Sequence, residues 1–155
     1  MAMSPTLQKF LTEHAVPYEI LPHTHTATSL NSASAAHVPG NKMAKSVILE
    51  DEDGYLMAVI PATEHVKIRE LNQVLNRNMG LATEMELRHL FRDCEIGAIP
   101  PVGLAFGMQT IVDDSLMRCN DVYFEAGDHE ELIHVKGTSF RKLMQDSMHA
   151  NLCAH

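Results

Sequence analysis

Along this chain the hydrophobic positions switch between a period near 3.6 and a period near 2, so helices and strands are interleaved. Ser4-Pro5 offers a capping hydroxyl followed by a proline at the first helical position. Leu7, Phe10 and Leu11 then recur at helical spacing to about His14. Tyr18 to Leu21 alternates and predicts a short strand, while the Ala/Ser-rich stretch Thr28–His37 predicts a helix that Pro39-Gly40 ends. Two β-rich runs, Lys45–Glu50 and Tyr55–Ile60, flank Asp53-Gly54 and predict a hairpin. Ile68, Leu71 and Leu75 mark a helix over about 67–76. Thr83 and Glu86 form a capping box, opening a helix with Leu87, Leu90 and Phe91 on its inner face.

Cys94-Glu95-Ile96 predicts a short strand running into Gly97-Ala-Ile-Pro-Pro-Val-Gly103, a loop too rich in Gly and Pro to be regular. Thr110–Val112, Val122–Glu125 and Leu132–Val135 read as three further strands, with Gly127-Asp128-His129 turning between the last two. Thr138 or Ser139 is expected to cap a final helix containing Phe140, Leu143 and Met144. Strands and helices mix without strict alternation, which predicts an α/β (α+β) domain around a mixed sheet.

Length and composition narrow this picture. At 155 residues and 45% apolar content the chain has room for one domain with a proper core. Twenty acidic against twelve basic side chains give a formal charge of −8, which argues against a broad phosphate-tracking surface such as DNA binding requires. Cys94, Cys119 and Cys153 cannot all pair and form no CxxC, as expected of reduced thiols in a cytoplasmic protein. The start, MAMSPTLQKF, lacks the basic and apolar regions of a signal peptide, and no run of 18 apolar residues predicts a membrane span.

Few residues carry obvious chemistry. Lys45 opens a strongly apolar strand, where its ammonium can hold a carboxylate, a phosphate or a developing oxyanion, or can simply be solvated. In the loop from Gly97 to Gly103, Pro100 and Pro101 fix φ and donate no hydrogen bond. Backbone donors must therefore come from Gly97, Ala98 or Ile99, and an added methyl at Gly97 is expected to cost activity rather than stability. Asp128 and His129 sit in a glycine turn beside Glu130 and Glu131, where they can do acid–base work or can simply form a solvated acidic turn. His23-Thr-His25 can place two rings on one strand face, but zinc needs a third and usually a fourth ligand that nothing nearby supplies. There is no GxSxG elbow, P-loop, GxGxxG after a strand or HExxH, and Cys94 falls where a thiol is usually inert.

Taken together, Pro39-Gly40, Met43-Ala-Lys45-Ser-Val-Ile-Leu, Asp53-Gly54, Cys94-Glu-Ile-Gly97-Ala-Ile-Pro-Pro101-Val-Gly103, Val112-Asp-Asp-Ser-Leu and Phe124-Glu-Ala-Gly-Asp128 resemble the YbaK family. These are aminoacyl-tRNA deacylases, found also as the editing insertion of bacterial prolyl-tRNA synthetases. The resemblance covers residues 4–146 and leaves 147–155 as a C-terminal tail. It implies one mixed domain with a central barrel-like sheet, and trans-editing hydrolysis of the ester joining Ala, Cys, Ser or Thr to the wrong tRNA. By resemblance the family's strand lysine falls on Lys45 and its GxxxP loop on Gly97–Pro101, which grips the aminoacyl group. Asp128 and His129, from the reading of the residues themselves, are expected to bind substrate with them. The substrate's own ribose hydroxyl is implied to assist water attack. No metal or organic cofactor is implied, and the partners are the acceptor end of mischarged tRNA and an aminoacyl-tRNA synthetase, with no membrane. The segment after Phe124, AGDHEELIHV, differs from Cys-specific members. The competing reading is a non-catalytic module that binds an aminoacyl or other small ligand and regulates a partner.

Overall fold

The first helix is fixed at its start by one buried serine. In the computed structural model, which describes residues 3–153, α1 spans Pro5–Glu13 and Ser4 caps it by accepting the Leu7 N–H at 3.2 Å. The same hydroxyl donates to Asp93 at 2.8 Å, and the Ser4 N–H donates to the Ala126 carbonyl at 2.7 Å. The cap thus ties α1 to two distant segments while Leu7 and Leu11 enter the core.

The remaining elements are β1 (Glu19–Pro22), α2 (Ser29–Ala35), β2 (Met43–Asp51), β3 (Gly54–Pro61), α3 (Ile68–Leu75), β4 (Gly80–Leu81), α4 (Glu84–Leu90), β5 (Gln109–Asp113), α5 (Asp114–Met117), β6 (Asp121–Glu125), β7 (Glu131–Lys136), α6 (Gly137–Leu143) and β8 (Met148–Ala150). One mixed sheet runs β1-β7-β6-β2-β3-β5-β8, with β4 alongside β2. The β2–β3 hairpin closes on the pair Asp51↔Gly54, so Glu52-Asp53 makes the tight turn and Gly54 already belongs to the strand. Thr83 and Glu86 form the full capping box.

Strand β3 shows why the sheet has two cores. It is buried from Leu56 to Ile60. Met57 and Val59 face a large cluster with Phe91, Phe124 and Phe140, whereas Leu56, Ala58 and Ile60 face a second cluster with Leu71, Met79 and Leu152. The period of two sends alternate side chains to opposite faces, and both faces are covered.

Several expectations change. Cys94–Ile96 is not a strand but a run of turns, because its backbone partners lie on different segments: Cys94 N–H donates to Phe91 O, Glu95 N–H to Gly127 O and Ala98 N–H to Glu95 O. Helix α6 starts at Gly137 with no side-chain cap, so Thr138 and Ser139 lie within its first turn. Strand β1 stops at Pro22, which leaves His23 and His25 beyond it. Residues after 146 add β8 alongside β5, and Cys153 bridges Val66.

Asp113 secures that last stretch. It is fully buried at the end of β5. Its Oδ2 accepts the Ser115 N–H at 3.2 Å together with the Ser115 hydroxyl, and its Oδ1 accepts the Leu152 N–H at 2.8 Å. Asp113→Ala leaves the buried Leu152 N–H and the half-buried Ser115 donors without this acceptor. It is expected to cost about 2–3 kcal/mol in chemical denaturation, and to raise amide exchange in 148–153 above that in β2 and β3.

Candidate active site

The site lies where the sheet is locally incomplete. On one edge β2 pairs with β3 along its whole length from Ala44 to Asp51. On the other edge β6 pairs only with Met43 and Ala44, and β4 only with Leu49 and Glu50. Among the described residues no strand pairs with Lys45–Val47 on this side, and the loop through Gly97 occupies the gap instead. Ser46 holds it there, its hydroxyl donating to the Ile99 carbonyl at 3.0 Å.

Two clefts meet at this point. One, of about 420 Å³, is lined by Lys45, Ser46, Ser29, Ala62, His65 and Gly97. The other, of about 310 Å³, is more apolar and shares Ser46 and Gly97, adding Ile48, Leu81, Leu87 and Ile99. Lys45 and Gly97, more than fifty positions apart in sequence, therefore face the same cleft. Lys45 is half-buried, and loss of hydration lowers its pKa from the ordinary lysine value, opposed by the nearby Cys153 and Glu64.

Three carbonyls at the start of the loop are each held by a side chain. Ser29, the first residue of α2, donates to Gly97 O at 3.2 Å, Ser46 to Ile99 O, and the His129 ring Nε2–H to Ile96 O at 2.9 Å. Of the three expected backbone donors, the Ala98 N–H is consumed by Glu95 O at 3.0 Å. The Gly97 and Ile99 N–H groups have no protein acceptor among the described residues. Pro100 and Pro101 are buried behind the loop and stiffen it from within the domain.

Gly97 has φ +84, and a Cβ there would lie 3.0 Å from Ala27 O and 3.2 Å from His129 Nε2. Backbone conformation and close approach therefore both demand glycine, and the expectation that an added methyl would spare stability does not hold. Gly103 serves another purpose: a Cβ there would overlap the Thr110 hydroxyl at 2.0 Å, so this glycine lets the chain pack on β5 rather than on a ligand.

Asp128 and His129 are buried, at 0% and 2% exposure. Asp128 Oδ1 accepts the N–H groups of Glu130 and Glu131, at 2.9 and 3.0 Å, and so shapes its own turn. His129 (φ +57) turns its ring inward. Its Nδ1 lies 2.5 Å from Glu125 Oε2, outside hydrogen-bond alignment, and Glu125 is itself 1% exposed. Burial opposes a charged ring, but the Glu125 carboxylate, the Ile96 carbonyl and the charge of Glu95 outweigh it and raise the His129 pKa. His23 lies across the same carboxylate, with its side chain fully covered, Nε2 4.0 Å from Glu125 Oε1 and Nδ1 2.7 Å from Thr24 O. His25 instead sits at the surface, 3.2 Å from both Glu95 oxygens. The Cys94 thiol is pushed up to about 12, first by burial and then by Asp93, which leaves it a poor nucleophile. Glu125 and Ser29 carry no sequence signal of their own: Glu125 looks like an ordinary strand end, and Ser29 one of several serines in a helix.

Comparison with known proteins places the chain in an established family. Solved structures share the fold at low identity. They include a candidate trans-editing enzyme for prolyl-tRNA synthetase (21% identity, TM-score 0.82, covering 99% of this chain and 100% of that one). A hypothetical protein matches at 20% identity and TM-score 0.84, covering 96% of this chain and 99% of that one. A candidate signal transduction protein from Marinobacter aquaeolei matches at 18% identity and TM-score 0.77, covering 97% of this chain and 30% of that one. Among curated proteins none matches the chain significantly. No helix among the described residues is long and apolar enough to cross a membrane. The model for the aminoacyl-tRNA editing domain matches residues 23–143, most of the chain and the whole of the cleft, and the chain belongs to that family.

Proposed function

We propose that this editing domain hydrolyses, in trans, the ester joining a small wrong amino acid — Ala, Cys, Ser or Thr — to tRNA, with the Lys45 cleft as its active site. The observation that carries the reading is that Lys45 and Gly97 line one cleft and Gly97 and Ile99 the adjoining one, with the N–H groups of both loop residues unengaged among the described residues. An aminoacyl ester is already activated. Water adds to its carbonyl carbon, the negative charge builds on the carbonyl oxygen, and the C–O bond to ribose then breaks as the ribose oxygen takes a proton. The protein's task is to position the ester and stabilise that oxyanion. Lys45 supplies charge without proton transfer, the loop N–H groups supply fixed dipoles, and a ribose hydroxyl of the substrate assists the water. No triad is required.

The size of the cleft fits this reading. About 420 Å³ accepts a small aminoacyl group with its ribose. One methylene changes binding by only ~1–3 kcal/mol, so a sieve that admits small residues and excludes larger ones supplies selectivity that a synthetase lacks. An overall charge of −8 is compatible with binding the acceptor end alone, because single-stranded RNA ends are recognised by stacking and a few polar contacts. A synthetase that produces the mischarged tRNA is the natural second partner. The same fold also forms 30% of a candidate signal transduction protein, which keeps the second reading specific: the cleft would hold an aminoacyl or other small ligand without turnover.

A panel of Ala-, Cys-, Ser- and Thr-tRNA, each charged on a non-cognate tRNA, separates the two. At least one is expected to be deacylated at micromolar enzyme in the presence of chelator. Binding without hydrolysis across the whole panel would establish the second reading instead. Lys45→Ala is expected to lower kcat/KM by about 30- to 1000-fold, corresponding to ~2–4 kcal/mol of lost transition-state stabilisation, while circular dichroism and Tm stay close to the parent. Turnover at the parental rate would return Lys45 to a solvated strand end. Gly97→Ala is expected to lose both properties: roughly 1 kcal/mol or more of stability, from the positive φ, and most deacylation per folded molecule.

A further inference from the structure

The geometry points to Glu125 as a positioning residue for this reaction: its buried carboxylate orients the His129 ring, which clamps the Ile96 carbonyl and so aims the Gly97 N–H away from His129 toward the Lys45 cleft. The inference rests on the editing role proposed for that cleft, and it adds to it the device that holds the cleft's principal donor in place.

The chain of contacts is continuous. Ile96 and Gly97 share one planar trans peptide, so the Ile96 C=O and the Gly97 N–H point in opposite directions. The His129 Nε2–H holds the carbonyl at 2.9 Å. His129 lines a third cleft together with His25, Arg88, Cys94 and Glu95; Gly97 is absent from it and lines the other two, while Ile96, between them, borders both this cleft and the more apolar one. Fixing the carbonyl toward His129 therefore directs the N–H into the gap occupied by Lys45 and Ser46. To donate from Nε2, the ring must carry its proton there. Glu125 Oε2, 2.5 Å from Nδ1, sets the other nitrogen and thereby the ring plane.

Burial makes the pairing unusual for a structural contact. Both Glu125 oxygens, His129 Nδ1 and His23 Nε2 are buried without an aligned hydrogen-bond partner. A carboxylate enclosed between two imidazoles is costly to desolvate, and an apolar replacement of similar volume often stabilises a fold. An arrangement retained at that cost, directly behind the loop that presents the unengaged N–H, is accounted for by what it does to the loop.

Three variants and two readouts test this. Glu125→Leu removes the acceptor but keeps the volume. Glu125→Gln can rotate its amide to donate to Nδ1 and so keeps a neutral ring with its proton on Nε2. His129→Asn removes the clamp with a residue that tolerates positive φ. The first readout is the Gly97 amide cross-peak in a ¹H–¹⁵N correlation spectrum, which needs no substrate. The second is the steady-state kcat and KM for deacylation of whichever of the four mischarged tRNAs the parent cleaves fastest. Glu125→Leu and His129→Asn are expected to shift or broaden the Gly97 peak and to lower kcat on the order of 10–100-fold with KM nearly constant. Glu125→Gln is expected to regain the greater part of both losses relative to Glu125→Leu. Unmoved Gly97 peaks in Glu125→Leu and His129→Asn, or a rise in KM at parental kcat, would overturn the proposal. Should Glu125→Leu fail to fold, His129→Asn and Glu125→Gln still decide it by the same peak. If the parent cleaves no mischarged tRNA, the editing assignment falls, and the Gly97 peak alone tells whether the clamp exists.

Discussion

The domain turns on the short partnership between β2 and β6. The two strands run parallel for only Met43↔Tyr123 and Ala44↔Phe124 before they part. An unpaired strand edge inside a buried sheet leaves peptide groups that must find partners. Here the edge is filled by an irregular loop rather than by another strand, and a loop can present N–H groups outward where a strand would consume them in a ladder. β6 then continues to Glu125 and into the turn that carries His129, so the divergence that opens the gap also delivers the residues that hold the loop in it. Lys45 is the first β2 residue past the point of divergence. It lines the cleft that opens there.

Local chemistry made much of the fold legible. The Ser4-Pro5 start, the Thr83–Glu86 capping box and the Glu52-Asp53 turn before Gly54 all involve groups within a few residues of one another, so sequence spacing states the geometry directly. The alternation in β3 reports two covered faces for the same reason. Cys94-Glu95-Ile96 reads as a strand because its residue types fit one, yet its backbone is claimed by Phe91 on one side and Gly127 on the other. Neither claim can be seen in a window of local sequence. The same holds at β8, a three-residue strand whose position depends on Asp113 and Leu152 rather than on its own pattern.

The candidate site divides along the same line. Lys45 and Gly97 are visible as residue types that suit an oxyanion, and they do share a cleft. Which backbone donors remain available is a tertiary fact: Ala98 loses its N–H to Glu95, and Gly97 and Ile99 keep theirs. Asp128 and His129 look in sequence like an exposed acid–base pair, but both side chains turn inward and act on protein groups. Glu125 lies four residues before His129, across a turn rather than along a helix, so no periodicity announces the pair.

The three clamps on the loop join residues 68, 53 and 33 positions apart in the chain. Contacts of such separation are completed only after the intervening segments have folded, since loop closure must precede the reward of the contact. Ser29, Ser46 and His129 belong to a helix, a central strand and a late turn, so the last of them becomes available only when most of the chain has been synthesised. The donor array is therefore a property of the finished domain. A nascent or truncated chain can contain Lys45 and the entire Gly97–Pro101 loop and still lack the clamps that shape the cleft between them.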